Sequence, residues 1–559
     1  MEVLTLQFGN FANHIGAHFW NFQDEIAALE AGSAHNVHTD PTDFERLHSQ
    51  AEHSDGVHWR PRLLLVDRRG ALYSACPAKQ HGQPEPEPES HESPSLLWDH
   101  ATASHCSEPL ESHSFQQDLE REDAAGVGGE CGEPRASAVY DFRNSVRSWT
   151  DYLKVQLPAA SVHELQGWQH GVAPFATYFD GLQVRGSRDE EPLLELARRQ
   201  LELCDQLDAV HAVLDMHNGF SGVADVVLRW VQEEQPKCGK FVLAVQPDMP
   251  ANEPSGSELE GLSQDTAATV APADTEACAW VSAAFSFAGL LDTGIDIWTP
   301  AAVPLWNIAR RPPALAGLNQ RSAYESSALI AAALETASLP YRLCGGRRPS
   351  QFLATLAPAY RPVCGLLQAL PLPCEDCSQS GGTAGRTLAE LSPHFLDLAS
   401  TPALPDNPYT SLVLRGETPH RLLSLCSCLP ARARCNSFVH PASLPLPLPF
   451  PQLFGLQVSC RGVLPLRPPA APARLLGEEV EACPVATQLH ASAGAGRCAA
   501  MQRMRRAVWL HQRSAWAAAA RQRYGIEADE FREALEAMVE HAEGSGAVAS
   551  SDEAEGEEA

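Results

Sequence analysis

Hydrophobic positions fall in runs that alternate between strand and helix lengths. Val3, Leu4, Leu6 and Phe8 open the chain as a run short enough for a buried strand. Gly9, Asn10, Asn13 and Gly16 follow, then helix-forming residues through Phe19 and Trp20. Arg62-Leu63-Leu64-Leu65-Val66-Asp67 reads as a central strand of a parallel sheet, with Asp67 at the C-terminal edge, where ligands sit. Residues 144–157 look helical in their middle. Residues 196–216 read as a helix running into an apolar strand, Val210 to Leu214. HNGFSGVADVVLRWVQEEQP is then a turn and an amphipathic helix, and FVLAVQP the next strand. Strand, glycine turn, helix, strand predicts a right-handed βαβ unit.

Between these elements the pattern breaks. Residues 76–138 hold 13 acidic and 3 basic residues, a net charge of −10, and include QPEPEPESHESP. So little apolar surface predicts a solvated insertion that can be deleted without loss of fold, or a docking strip for a basic partner. Residues 250–278 form a second polar, acidic loop. YESSALIAAALETASLPY predicts a long central helix whose small residues suit close burial. Beyond Pro349 the chain is rich in Pro, Leu and Cys and its strands are hard to place. HPASLPLPLPFP predicts extended polyproline II at the surface. An Arg-bearing helix from about 499 to 524, a shorter one from 526 to 542 and an acidic tail complete the pattern.

Composition narrows the chemistry. With 559 residues, two or three domains are expected. A net charge of −29 argues against broad nucleic-acid binding. The 16 cysteines are scattered, no signal peptide is evident and no apolar run reaches membrane-spanning length. These features predict a reduced, cytoplasmic setting with at most peripheral membrane association. Cys374-Glu-Asp-Cys377, Cys426, Cys428 and Cys435 lack regular zinc spacing and read as ordinary thiols. No glycine-elbow serine, HExxH or kinase set occurs. The six arginines from 503 to 523, with Trp509 and Trp516 on one helical face, read either as a packed helix with snorkelling stems or as a basic face for an acidic partner or anionic membrane.

Gln7-x-Gly9 with Asn13-x-Ile15-Gly16-Ala17-x-Phe19-Trp20 resembles the opening strand, phosphate loop and first helix of tubulins. Pro61-Arg62 with Leu65-Val66-Asp67 and Gly70 is similar to the next tubulin strand, and CDQLDAVHAVLDMHNGFSGVADVV lies where tubulins carry a strand, their glycine-rich loop and a helix. YGIEADEFREALEAMVEH and the acidic tail resemble the tubulin C-terminus; residues 346–500 are only weakly similar. EVLTLQFGNFANHIGAHFWN, DMHNGFSGVADVV and SSALIAAALETASLPYRLC look closer still to the Misato family of divergent tubulin-like proteins.

The resemblance implies an α/β, tubulin-like, parallel-sheet nucleotide-binding-type domain, then a smaller α+β domain and C-terminal helices. Its expected segments are 1–75, the insertion 76–138, 139–345 with the central helix, a second domain 346–498, C-terminal helices 499–542 and the tail 543–559. The family is associated with mitochondrial distribution, morphology, inheritance and network fusion, and in some settings with the spindle and tubulin biogenesis. Mitochondrial surface proteins, tubulin and chaperonin are therefore the expected partners, in the cytoplasm and peripherally at the mitochondrial outer membrane. The alternatives are a GTP-binding cytoskeletal GTPase and an accessory factor in tubulin folding or spindle assembly.

Transferred onto this chain, the nucleotide pocket comprises Gly9, Asn10, Asp67, Gly219, Ser221 and Gly222, and it departs from the tubulin pattern. The loop HNGFSGV keeps two glycines, and Phe220 crowds a phosphate. Asn218-Gly219 suits a plain turn with positive φ. Phe11 stands where tubulins have a Cys and fits a cleft plug or a core residue. Arg69 replaces a metal-associated Glu and reads as a solvated turn residue or a direct phosphate contact. Tyr324 replaces a guanine-reading Asn, and RRPSQFLATLAPAYRP offers no acid to a neighbouring subunit. No catalytic residue, metal or obligatory cofactor is expected, so the chain reads as a non-enzyme; the surviving residues leave GTP binding open.

Overall fold

The computed structural model describes residues 1–32, 41–53, 56–72, 112–125, 140–170, 172, 175–246, 272–304, 312–356, 363–373, 396–399, 409–427, 434–465, 472–475, 477–491, 498–512 and 514–543. In the first half, strands β1 (Glu2–Phe8), β4 (Leu63–Arg69), β5 (Val162–Gln169), β6 (Leu207–Asp215), β7 (Gly239–Val245) and β8 (Ile297–Ala301) form a six-stranded sheet in the order β5-β4-β1-β6-β7-β8. Every neighbouring pair is parallel. A separate hairpin joins β2 (His48–His53) and β3 (Gly56–Pro61). This half is the expected tubulin-like α/β sheet.

Helix α1 (Asn10–Gly32) returns from β1, and α2 (Ser114–Ala125) and α3 (Phe142–Ser145) follow β4. Helices α4 (Tyr178–Leu182), α5 (Glu190–Glu202), α6 (Phe220–Glu234) and α7 (Pro272–Leu291) complete the sheet layers. The central helix α8 (Ala323–Arg342) lies between α1 and a second sheet, and α9 (Pro349–Leu356) follows it. From Tyr324 to Arg342 every residue of α8 is buried, as its small residues predicted. Phe11 through Gln23 of α1 are likewise buried all round; Phe19 and Trp20 sit in the core between sheet and central helix.

The stretch whose strands were hard to place is a five-stranded mixed sheet. Its strands β9 (Cys364–Ala369), β10 (Leu396–Asp397), β11 (Tyr409–Arg415), β12 (Arg434–His440) and β15 (Val485–Ala491) are ordered β10-β9-β15-β11-β12, with only β11 and β12 parallel. Helix α10 (Pro419–Ser427) connects that parallel pair. Local pattern hides such a sheet, because its pairings join strands far apart in sequence and its pleats carry buried polar residues such as Gln368 and Thr487.

Three further expectations are corrected. Residues 440–451 lie only partly at the surface: Pro441, Ala442 and Leu448 are exposed, but Leu444, Leu446 and Phe450 are buried, and β13 (Leu444–Pro445) pairs with β14 (Ala482–Cys483). Leu444 and Leu446 join the core cluster that includes α8 residues. The Arg-bearing region is two helices, α11 (Ala499–His511) and α12 (Ala515–Tyr524), because the Ser514 hydroxyl caps the second by accepting from the Ala517 amide; α13 (Ala528–Glu543) follows. The 76–138 segment also contributes to the core through α2: Phe115 is buried against Tyr140 and Phe142. Its Pro/Glu-rich stretch, residues 250–271 of the expected 250–278 loop, Cys374, Cys377 and the tail from 544 lie outside the described residues, whereas residues 272–278 are helical and open α7.

One buried ionic group ties the second sheet and helix α1 to the central helix. The Glu335 carboxylate accepts from Arg342 and Arg415, each at 2.6 Å, and Arg342 also donates to Gln23 of α1 at 2.7 Å. Glu335 and both arginines are essentially inaccessible, and the two guanidiniums hold the Glu335 carboxyl below its ordinary range against the opposing effect of burial. Glu335→Ala leaves two like charges facing each other out of water, so it should cost about 3–5 kcal/mol in denaturant titration. Deleting residues 80–111 should leave the melting temperature unchanged, whereas deleting 80–135 should lower it, because Phe115 then leaves a void of the kind that costs about 3–5 kcal/mol.

Candidate functional site

The six pocket residues converge where β1, β4 and β6 end, but they do not enclose a cleft. Gly9 has φ +113, and a Cβ there would strike the Asp215 carboxyl. Asp215 ends β6 and points into the N-terminus of α1. It accepts from the Ala12 amide at 2.9 Å and the Phe11 amide at 3.3 Å. A helix N-terminus offers free amides and a positive dipole end, which is what a phosphate would use. Here a side chain of the same protein fills that role. Asn218 adds a weaker hydrogen bond to Asp215 at 3.4 Å.

Asp67 is also buried. It accepts from Asn13 Nδ2 at 2.9 Å, the Trp149 indole N–H at 3.2 Å and the Arg68 amide at 2.8 Å. Burial raises both carboxyls above the ordinary range. Asp215 reaches about 7, opposed by its amide donors and pushed further by the nearby Asp67 charge. Asn10 alone of the six is exposed.

The second loop is closed in the same way. Gly219 has φ −63, so the expected positive-φ turn does not form; its glycine is needed because a Cβ would lie 2.8 Å from the Phe175 ring. A Cβ on Gly222 would strike the Tyr178 carbonyl, and one on Gly181 the Gly219 carbonyl. Helix α4 therefore rests directly on the loop. The Gly219 amide donates to Phe175, Phe220 to Asn218 Oδ1, Ser221 to Asn218, and Gly222 and Val223 to Gly219. Ser221 is fully buried and its hydroxyl donates to the Asn218 carbonyl at 2.8 Å.

Aromatic side chains surround Tyr324. The Tyr324 ring centre lies 4.9 Å from that of Tyr152, 5.4 Å from His18 and 6.1 Å from Phe142, and its hydroxyl donates to Pro449. Tyr152 exchanges hydrogen bonds with His14, and His18 reaches the Tyr324 carbonyl. Burial drives the His14 and His18 pKa values down to about 3, so both are neutral in this dry packing. Phe11 packs in the core, and Arg69 is exposed at the end of β4. Cavities of about 540 Å³, beside Glu190 and Trp230, and about 220 Å³, beside Phe352 and Phe438, include none of the six residues. No cluster of three metal-ligating side chains occurs among the described residues.

Sequence reading missed Asp215, Phe175, Trp149, Tyr152, Tyr178 and Gly181. Asp215 carried a signal, since it ends an apolar strand as Asp67 does. The aromatic and glycine contacts carried none, because they join segments far apart in the chain.

Fold and site define a tubulin-like α/β protein whose converging loop residues bond to other groups of the same chain. The family profile of the Misato Segment II tubulin-like domain matches residues 1–121. The chain is 27% identical over 290 residues to Protein misato homolog 1 of Danio rerio, covering 47% of each chain. It is 25% identical over 464 residues to Protein misato homolog 1 of Homo sapiens, covering 78% of this chain and 71% of that one. It is 24% identical to Protein DML1 of Gibberella zeae over 62% of this chain and 61% of that one. These matches make the chain similar to the Misato family of tubulin-like proteins.

The site predicts a pH signature. The folded state holds the Asp215 proton up to about pH 7, whereas an unfolded aspartate releases it near 3.8. This group therefore favours folding fully below about pH 4 and progressively loses that contribution as pH rises to about 7. The stability of Asp215→Asn relative to the parent should accordingly increase between pH 4 and 7 and level off above. A difference independent of pH, measured by urea unfolding, would contradict the assignment.

Proposed function

We propose that this chain is a non-enzymatic, tubulin-like organiser of mitochondrial distribution, morphology and inheritance, acting in the cytoplasm and peripherally at the mitochondrial outer membrane through protein partners. The mitochondrial role rests on the family resemblance. The observation that carries the non-enzymatic part is the Asp215 carboxylate on the α1 amides, where a phosphate would otherwise bind. A nucleotide would have to displace that carboxylate and Trp149, and to enter between packed Tyr152 and Tyr324 rings. No described helix is long and apolar enough to cross a membrane, which fits attachment through a surface or a partner.

Depletion of the protein should disturb mitochondrial distribution before microtubules change, and Asn10→Ala should restore it fully. Trp20→Ala should restore it poorly, because that truncation of a buried indole costs about 3–5 kcal/mol. Microtubule loss preceding any mitochondrial change, with tubulin and chaperonin as the captured partners, would favour the tubulin-folding reading instead. Steady GTP turnover by the purified chain, abolished by Gly222→Val, would overturn the non-enzymatic reading.

A further inference from the structure

Helix α11 reverses the charge of the rest of the chain. From Ala499 to Tyr524 there are six arginines and no carboxylate, in a chain of net charge −29. Arg503, Arg506, Trp509 and Leu510 recur at spacings of three and four, so they share one face of α11, and all four are exposed. Trp509 is 65% exposed and Leu510 51%. Met501, Met504 and Val508, on the opposite face, are sealed in the core cluster that also holds Val281 and Ala284 of α7. The helix thus lies flat on the protein, with its basic and aromatic side chains turned outward.

The protein does not compensate these cations. Arg505 and Arg506 make no hydrogen bond or ion pair among the described residues. Arg503 only rests its guanidinium over Trp280, 5.4 Å from the ring centre. Helix α13 packs beside α11 and exposes Asp529, Glu530, Glu533 and Glu536. Asp529 and Glu536 pair instead with Arg532 of their own helix, at 3.0 Å and 3.6 Å. None of the four acids pairs with α11 among the described residues. An indole and a leucine therefore face water among arginines that still lack an anion.

We propose that the outer face of α11 docks on an anionic lipid bilayer. The helix lies in the plane of the interface. Trp509 and Leu510 enter the boundary between headgroups and acyl chains, and Arg503 and Arg506 meet the lipid phosphates and carboxylates. Shape favours a bilayer over an acidic protein. The α11 face is a convex helix surface, and neither of the cavities described above includes an α11 residue. A protruding indole needs a pocket in a protein partner, whereas lipid headgroups part around it. The acidic remainder of the chain is repelled by the same bilayer, which turns α11 toward it. Docking of this kind deepens the peripheral attachment proposed above and rests on that reading for its cellular setting.

Flotation of the purified full chain with lipid vesicles tests the docking. The chain should float with phosphatidylcholine vesicles holding about 30% phosphatidylserine, stay behind with phosphatidylcholine alone, and be released by salt. Arg506→Gln should weaken partitioning about fivefold, and Arg503→Gln with Arg506→Gln roughly 25-fold, since each arginine near an anionic surface is worth about a factor of five. Arg532→Gln, at an arginine already paired on α13, should leave it unchanged. Brominated acyl chains should quench a part of the tryptophan emission that Trp509→Phe removes. These side chains are all exposed, so the melting temperatures should match that of the parent. No flotation, undiminished flotation of the arginine variants, or quenching that persists in Trp509→Phe would overturn the proposal. Capture by immobilised polyglutamate without flotation would also overturn it, and would assign the face to an acidic protein. The vesicle assay needs no mitochondria, so its failure would strike the docking and leave the organiser reading to stand on protein attachment. Failure of the depletion experiment would strike the organiser reading and not vesicle binding.

Discussion

Asp215 ends β6 with its carboxylate against the first free amides of α1, and the surrounding backbone is built to accommodate that contact. Gly9 must be glycine twice over, because its φ is +113 and because any Cβ would meet the Asp215 side chain. The helix dipole favours negative charge at this point, and burial of the carboxyl raises its proton affinity, so the group is held between neutral and ionised near pH 7. An incoming phosphate would need the same amides and would carry its charge into contact with Asp67 as well as Asp215. Two of these amides are therefore already bonded within the chain.

The rest of the cleft closes around that anchor by ordinary packing. Trp149 reaches Asp67, Tyr152 reaches His14, and Tyr324 packs edge-on against Tyr152, so these groups face each other. Histidines remain neutral in this environment because no water is available to stabilise their charge. Gly181, Gly219 and Gly222 let α4 approach the former loop to backbone contact. This glycine-bearing loop uses its glycines for close packing and its amides for its own turn.

Much of the parallel sheet was legible because each strand is a short apolar run bounded by a glycine turn, as in β1, β6 and β7. The central helix was legible from its run of small residues. The second sheet was not, since β9, β11 and β15 are separated by long stretches and carry polar side chains inward. At the site, the substitution of Phe11, Phe220 and Arg69 signalled a changed pocket, but not what fills it. Asp215 bonds amides more than 200 positions away, and Phe175 packs on Gly219 from a loop with no local pattern. The helix around Phe115 escaped notice because the acidic composition on either side of it dominated the segment.

The central claim is that protein groups occupy the nucleotide position, and thermal unfolding of the purified chain with and without 1 mM Mg·GTP tests it most directly. A ligand present at about a hundred times its dissociation constant adds about 2.7 kcal/mol to the folded state, which is a shift of several degrees. The closed cleft predicts coincident transitions with and without nucleotide. A saturable rise in melting temperature, lost on Gly222→Val in a protein that still folds, would show that the cleft opens and that Asp215 yields its amides to a phosphate.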